Sequence, residues 1–133
     1  MTDAALPTIT RDENGAPSVA FAGAVKPEGL VVEVLEAGDG PEVKEGQSIT
    51  VHYAGWLWEG AKFDASWDRG ESISFGLARG SLIEGWVDGL AGVPVGSKVL
   101  LVVPPEKGYG QRSMGPIPGG STLVFAIDVL EAR

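Results

Sequence analysis

The chain of 133 residues contains no cysteine, which excludes disulfides, thiolate metal sites and a thiol nucleophile. Histidine is almost as scarce. The one histidine, His52, stands in a stretch with alternating apolar neighbours and no acid or hydroxyl residue at a telling spacing, so a structural role is expected for it. Positive charge is thin as well: ten Lys and Arg against eighteen Asp and Glu give a formal net charge of −8, without the basic cluster that phosphate backbones or anionic lipids attract. Neither nucleic acid nor a membrane is an expected partner. No run approaches the ~18 consecutive apolar residues of a membrane-spanning helix. Met1-Thr2-Asp3-Ala4 has neither the basic start nor the apolar core of an export signal, and a cytoplasmic location is the simplest expectation.

Other chemistries lack their parts. Gly108-Tyr109-Gly110 is not followed by the glycine and helix of a dinucleotide site, and no GKS or GKT occurs. Asp64 and Asp68 lie near Arg69, but two carboxylates without a histidine or a third spaced acid make a poor metal set. A loop salt bridge is expected there instead. No metal and no cofactor are implied.

What the chain has in quantity is glycine and proline, 20 and 9 residues, placed between β-branched runs in the manner of short strands joined by turns. Residues 1–28 are rich in Ala, Thr and Pro and carry one short alternating piece, Ser18-Val19-Ala20-Phe21. They read as an N-terminal extension, partly disordered or adding an edge strand, ahead of a single domain over 29–133. Strands are expected over Leu30–Leu35, Ser48–Trp58, Ile73–Phe75, Lys98–Val103 and Thr122–Leu130, with a reversal at Glu59-Gly60 into Lys62-Phe63. In the longest of them Ile49, Val51 and Tyr53 share a face. With no dozen-residue helix between the strands, an antiparallel sheet is favoured.

One helix stands out, Ser81 to Gly92. Leu82, Ile83, Trp86, Val87 and Leu90 fall on one side of the 3.6-residue period and Glu84, Asp88 and Ala91 opposite. Ser81 and Glu84 have the spacing of a capping box, which leaves the amides of Leu82 and Ile83 as free donors at the N-terminus. Gly85 and Gly89 each cost a helix about 1 kcal/mol against alanine, so this segment needs a sheet over its apolar face. The expected fold is α+β, a curved antiparallel half-barrel wrapped around one short helix.

Tyr53, Phe63, Phe75, Ile83, Trp86, Tyr109 and Phe125 form a set of aromatic and aliphatic residues beside tight turns. They suit a reaction that needs no nucleophile, base or metal: rotation about an Xaa-Pro bond, whose barrier of ~18–20 kcal/mol comes from amide resonance. The planar amide is more polar than the twisted one, so a dry apolar cup destabilises it relative to the twisted form. Uncatalysed exchange takes tens of seconds. Bringing it to milliseconds requires about 5–6 kcal/mol, within reach of shape, desolvation and one or two hydrogen bonds.

The blocks Val51-His52-Tyr53-Ala54-Gly55, Lys62-Phe63-Asp64-Ala65-Ser66, Asp68-Arg69-Gly70, Leu82-Ile83-Glu84-Gly85-Trp86, Gly96-Ser97, Pro104–Gly110 and Ser121–Phe125 stand in the order and spacing of FKBP-type peptidyl-prolyl isomerases, which the chain resembles from about residue 29 onward. That resemblance implies a rotamase assisting protein folding, with proline-containing polypeptides as partners and a pocket that also takes the macrolides of this family. By position, Trp86 forms the floor and Tyr53, Phe63, Phe125 and Leu82 the walls. Asp64 and Tyr109 form the polar rim, Asp64 held by Arg69 or Tyr53, and the Ile83 amide matches the family's carbonyl donor. Phe75 joins the substrate-binding set.

Ile73 stands where the family often has an aromatic, opening one side, and Ile117 is the expected apolar contact of a shortened loop. With no inserted chaperone domain and no His-rich tail, a stand-alone monomer is implied. Two other readings compete: a holdase or binding module using the same pocket without turnover, and a carbohydrate-binding face at Trp56 and Trp58.

Overall fold

The computed structural model describes residues 6–58 and 60–133. The start read for its missing export signal, Met1 to Ala4, lies outside the described residues, as does Glu59 of the expected reversal.

Alternation in the chain becomes two apolar layers on opposite faces of one sheet. In chain order the strands are β1 (Thr8–Arg11), β2 (Pro17–Ala20), β3 (Val31–Glu36), β4 (Ser48–Leu57), β5 (Lys62–Ala65), β6 (Ile73–Gly76), β7 (Lys98–Val103) and β8 (Leu123–Ala132); the helices are α1 (Ser66–Arg69) and α2 (Glu84–Leu90). The six-stranded sheet runs β3-β7-β8-β4-β5, with β6 also paired to β4, and every pairing is antiparallel. β5 and β6 divide the outer edge of β4 between them, β6 against Ser48–Val51 and β5 against Ala54–Trp56.

The inner face carries Ile49, Val51, Tyr53, Leu101, Val103, Phe125 and Ile127, packed with Trp86, Val87 and Leu90 of α2. This is the expected half-barrel over a short helix. The single turn α1 was not expected; it closes on Gly70 in the left-handed conformation, φ 72°, where a side chain is disfavoured.

Among the described residues the N-terminal segment adds no edge strand to this sheet. β1 and β2 form a hairpin of their own, closed by Asp12, whose Oδ1 accepts the amides of Asn14 and Ala16 at 2.8 and 3.0 Å. Leu6, Ile9, Val19 and Phe21 pack against the outer face at Ala54, Trp56, Leu100, Val102, Val124 and Ala126. Arg11 pins the hairpin through Asp128 at 2.9 Å. The carbohydrate reading is thereby overturned: Trp56 is buried, and Phe21 packs edge-on to Trp58 with ring centroids 5.1 Å apart.

α2 is shorter than the sequence suggests and begins differently. Its N-cap is Ile83, without a side-chain cap, so the Ser81–Glu84 capping box does not form. Instead Ala78 accepts the amides of Ser81 and Leu82 at 3.1 and 3.2 Å, and Ile83 is extended with ψ 148°. The tight turn over 78–82 thus satisfies the Ser81 amide that the box would have served and the Leu82 amide that it would have left free. Gly85 and Gly89, costly to the helix alone, let it approach the sheet: an added Cβ would lie 2.6 Å from Val103 Cγ1 and 2.8 Å from Leu101 Cδ2 respectively.

Candidate functional site

Because β4 and β8 are adjacent and α2 crosses beneath them, rings distant in sequence meet. Trp86 takes three aromatic neighbours edge-on: Tyr53 at 5.3 Å and 85°, Phe75 at 5.4 Å and 75°, and Phe125 at 5.4 Å and 87°. Phe63 stands against Phe125 at 5.8 Å and 88°. Perpendicular packing of this kind is the favoured quadrupole arrangement. A glycine makes room for it, since a Cβ on Gly55 would lie 2.6 Å from Phe63 and 3.0 Å from Phe125.

Above Trp86 opens a pocket of about 690 Å³, bounded by Tyr53, Phe63, Asp64, Phe75 and Phe125 on the sheet side and by Leu82, Ile83, Tyr109 and Ile117 opposite. Tyr53 and Tyr109 both border this open space. Gly80, Ser81, Met114 and Pro116 also line it and were not anticipated. For Met114 the signal lay in the loop: its amide and carbonyl pair with those of Ile117 at 2.8 and 2.9 Å, so the two side chains reach the rim together.

Two residues expected at the pocket lie elsewhere. Ile73 pairs with Val51 in the β4–β6 ladder and packs into the core cluster rather than the pocket wall. Arg69 is not on the wall either and acts through Asp64, 2.6 Å from its Nη1. The Leu82 amide, expected free, is bound by Ala78. Among the described residues no acceptor takes the Ile83 amide, and Ile83 lines the pocket.

Asp64 is the polar centre of the rim. Tyr53 donates its hydroxyl hydrogen to Oδ2, Arg69 and the Ala65 amide donate to Oδ1 at 2.6 and 2.9 Å. Burial pushes the Asp64 carboxyl up, but the Tyr53 and Arg69 hydrogen bonds and the guanidinium charge outweigh it and hold the group below its ordinary range. Burial first, then the bond to Asp64 and its charge, pushes Tyr53 up to about 12, so it remains a neutral donor. Burial also raises Tyr109, whose hydroxyl has no partner among the described residues and is open to a ligand.

These shifts fix a pH dependence. Asp64, depressed in the folded state, contributes stability above its unfolded pKa of about 3.9 that is lost as pH falls through the lower folded value. Tyr53, raised, contributes stability that is complete below the unfolded value of about 10 and lost as pH rises toward the folded one. Urea midpoints should fall at both ends, and Tyr53→Phe should flatten the alkaline limb; an alkaline limb identical in that variant refutes the assignment.

His52 has a hydroxyl partner after all. Its Nδ1 lies 2.8 Å from Ser66 Oγ, brought across by the β4–β5 hairpin, and its ring stacks on Trp67 at 5.0 Å. The same Oγ accepts the Tyr53 amide at 2.8 Å. His52 lies outside the pocket and helps seat α1.

A half-barrel closed by one helix over an aromatic-floored pocket is a recognition fold for a small apolar group carried on a polar backbone. Residues 40–130 match the model of the FKBP-type peptidyl-prolyl cis-trans isomerase family. An FK506-binding protein of Neisseria meningitidis serogroup B is 43% identical over 104 residues, covering 77% of this chain and 95% of that one. FK506-binding protein 2 of Emericella nidulans is 50% identical over 88 residues, 65% of either chain. Among solved structures, AtFKBP13 superposes with a TM-score of 0.73 at 36% identity, covering 82% of this chain and 97% of that one. FkpA from Escherichia coli gives 0.73 at 37%, covering 94% and 51%. The chain belongs to the FKBP-type peptidyl-prolyl isomerases and is a rotamase of that family.

Proposed function

We propose that isomerisation takes place in the pocket over Trp86, with Tyr53, Phe63, Asp64, Tyr109 and Phe125 as its catalytic surround and Leu82, Ile83, Trp86, Phe75 and Ile117 contacting substrate. The observation that carries this reading is an apolar, ring-walled cavity that opens beside one unpaired backbone donor, Ile83. The prolyl ring of an extended polypeptide enters edge-on over the indole, and the carbonyl before it accepts the Ile83 N–H. Dry walls then disfavour the polar planar imide and the shape of the cup favours the twisted one, while the Ile83 N–H anchors the substrate backbone over the indole.

Asp64 is kept ionised by Arg69 and aimed by Tyr53, so its charge faces the imide as resonance is lost and the carbonyl loses negative character. Macrolides of the kind the relatives are named for fit the same apolar volume. Met114, about half exposed at the rim, gives either ligand an adaptable contact. A monomeric state and a cytoplasmic location belong to the same proposal, to be decided by sedimentation and cell fractionation. No helix among the described residues is long and apolar enough to cross a membrane.

NMR exchange spectroscopy on an Xaa-Pro peptide tests the assignment. The protein should accelerate cis/trans exchange, and Asp64→Leu should reduce kcat/KM by about 10-fold, or ~1.4 kcal/mol, while the fold persists. An unchanged rate in that variant removes Asp64 from the site. A holdase would instead suppress client aggregation without accelerating exchange.

A further inference from the structure

Outside the pocket, the largest charge cluster among the described residues lies on the outward face of α2. Asp88 uses its two oxygens on two different cations: Arg79 Nη2 donates to Oδ1 at 2.6 Å, and Lys107 Nζ donates to Oδ2 at 2.8 Å. Glu84 lies one helical turn away at 3.7 Å from each, and Glu45 approaches Arg79 at 3.5 Å. In sequence such a residue reads as one more acid on a solvated helix face.

What the two cations are attached to makes the arrangement informative. Arg79 immediately precedes Gly80, Ser81, Leu82 and Ile83, all on the pocket wall, and is bridged to Leu82. Lys107 ends a 3-10 turn over Pro105–Lys107, two residues before Tyr109 on the neighbouring wall. One carboxylate on the helix that also carries Trp86 therefore ties down the segment bearing the Ile83 donor and the segment bearing Tyr109.

We propose that Asp88 is a positioning residue for prolyl isomerisation, clamping the Arg79–Ile83 and Lys107–Tyr109 segments at a fixed spacing around the floor of the pocket. This rests on the assignment of catalysis to that pocket. Exposed ion pairs add little net stability, so the clamp's effect is expected in geometry rather than in folding. Small misplacements of catalytic groups are costly to rate.

Asp88→Asn keeps the shape and removes the charge. It should lower kcat/KM for an Xaa-Pro peptide by about 3- to 10-fold, mostly through kcat, a modest share of the ~100-fold that a 1 Å misplacement costs, with Tm little changed. Asp88→Glu should recover part of the loss. The double variant Arg79→Gln/Asp88→Asn should be no worse than the worse single one, as expected for partners in one contact. Wild-type activity should fall as salt screens the clamp, and Asp88→Asn should be insensitive to salt.

A readout independent of catalysis separates this proposal from the pocket assignment: the amide resonances of Ile83 and Tyr109 should shift in Asp88→Asn. Amides that stay in place overturn the clamp. So do amides that move while kcat/KM is unchanged, in a protein whose Phe125→Ala variant is impaired, or a loss of rate that only follows loss of folded protein. Full activity in Phe125→Ala overturns the pocket assignment instead.

Discussion

Phe125→Ala should lower kcat/KM for an Xaa-Pro peptide by ~10- to 100-fold, which is about 1.4–2.7 kcal/mol of transition-state stabilisation. Its ring lies against three others of the site, Trp86 at 5.4 Å, Phe63 at 5.8 Å and Tyr53 at 6.4 Å. Removing it widens the cup exactly where the prolyl ring must be held dry, and it frees Phe63, whose position depends on Phe125 and on the missing side chain at Gly55. Water admitted there hydrates the planar imide and returns the resonance that the pocket takes away.

The same substitution leaves a cavity in the inner core, at ~3–5 kcal/mol for a buried phenylalanine, so the rate must be normalised to folded protein. Phe125→Leu provides the control. It fills most of the volume, should cost less stability, and still lacks the flat edge that meets the Trp86 indole. A normalised rate equal to wild type in both variants means the substrate does not use this wall.

Much of this is legible in the sequence itself. Alternation in Ser48–Trp58 puts Ile49, Val51 and Tyr53 on one face, and the period of Trp86, Val87 and Leu90 gives the helix a face to lay against the sheet, because burial of one face is what both patterns encode. The sequence points to the Ile83 donor for the wrong reason. Ser81 has the spacing of a cap, whereas its amide closes a turn on Ala78; Ile83 is left free because the chain is extended there, not because a capping box stands before it. Ile73 was misplaced for a related reason: its neighbour Phe75 does line the pocket, and only the ladder register tells the two apart.

Long-range partners could not be read at all. Arg11 and Asp128 are 117 residues apart, and nothing local in either announces the other. Trp56 and Trp58 looked like an exposed ladder because their cover comes from Phe21 and Val19, in a segment whose alternation is only four residues long. Asp88 looked solvated because both its cations arrive from loops.

Gly85→Ala should destabilise the protein by about 2–3 kcal/mol, the upper part of the range for overpacking a core, although helix propensity alone predicts a gain of about 1 kcal/mol. The sign is decided by β7. A Cβ at Gly85 would stand 2.6 and 2.8 Å from the two methyls of Val103, a fully buried residue whose β-branch restricts its rotation about χ1. Neither side can yield, so α2 must lift from the sheet. Gly89→Ala should cost less, because there the close contact is one flexible Leu101 methyl at 2.8 Å, with the next atoms at 3.4 Å. Lifting α2 also raises Trp86, the very next residue, so the isomerase rate per folded molecule should fall with the melting temperature in Gly85→Ala. Thermal melts followed by circular dichroism, together with exchange spectroscopy, decide it: a Gly85→Ala protein as stable as wild type would mean that the helix is not held against β7 as closely as the aromatic floor requires.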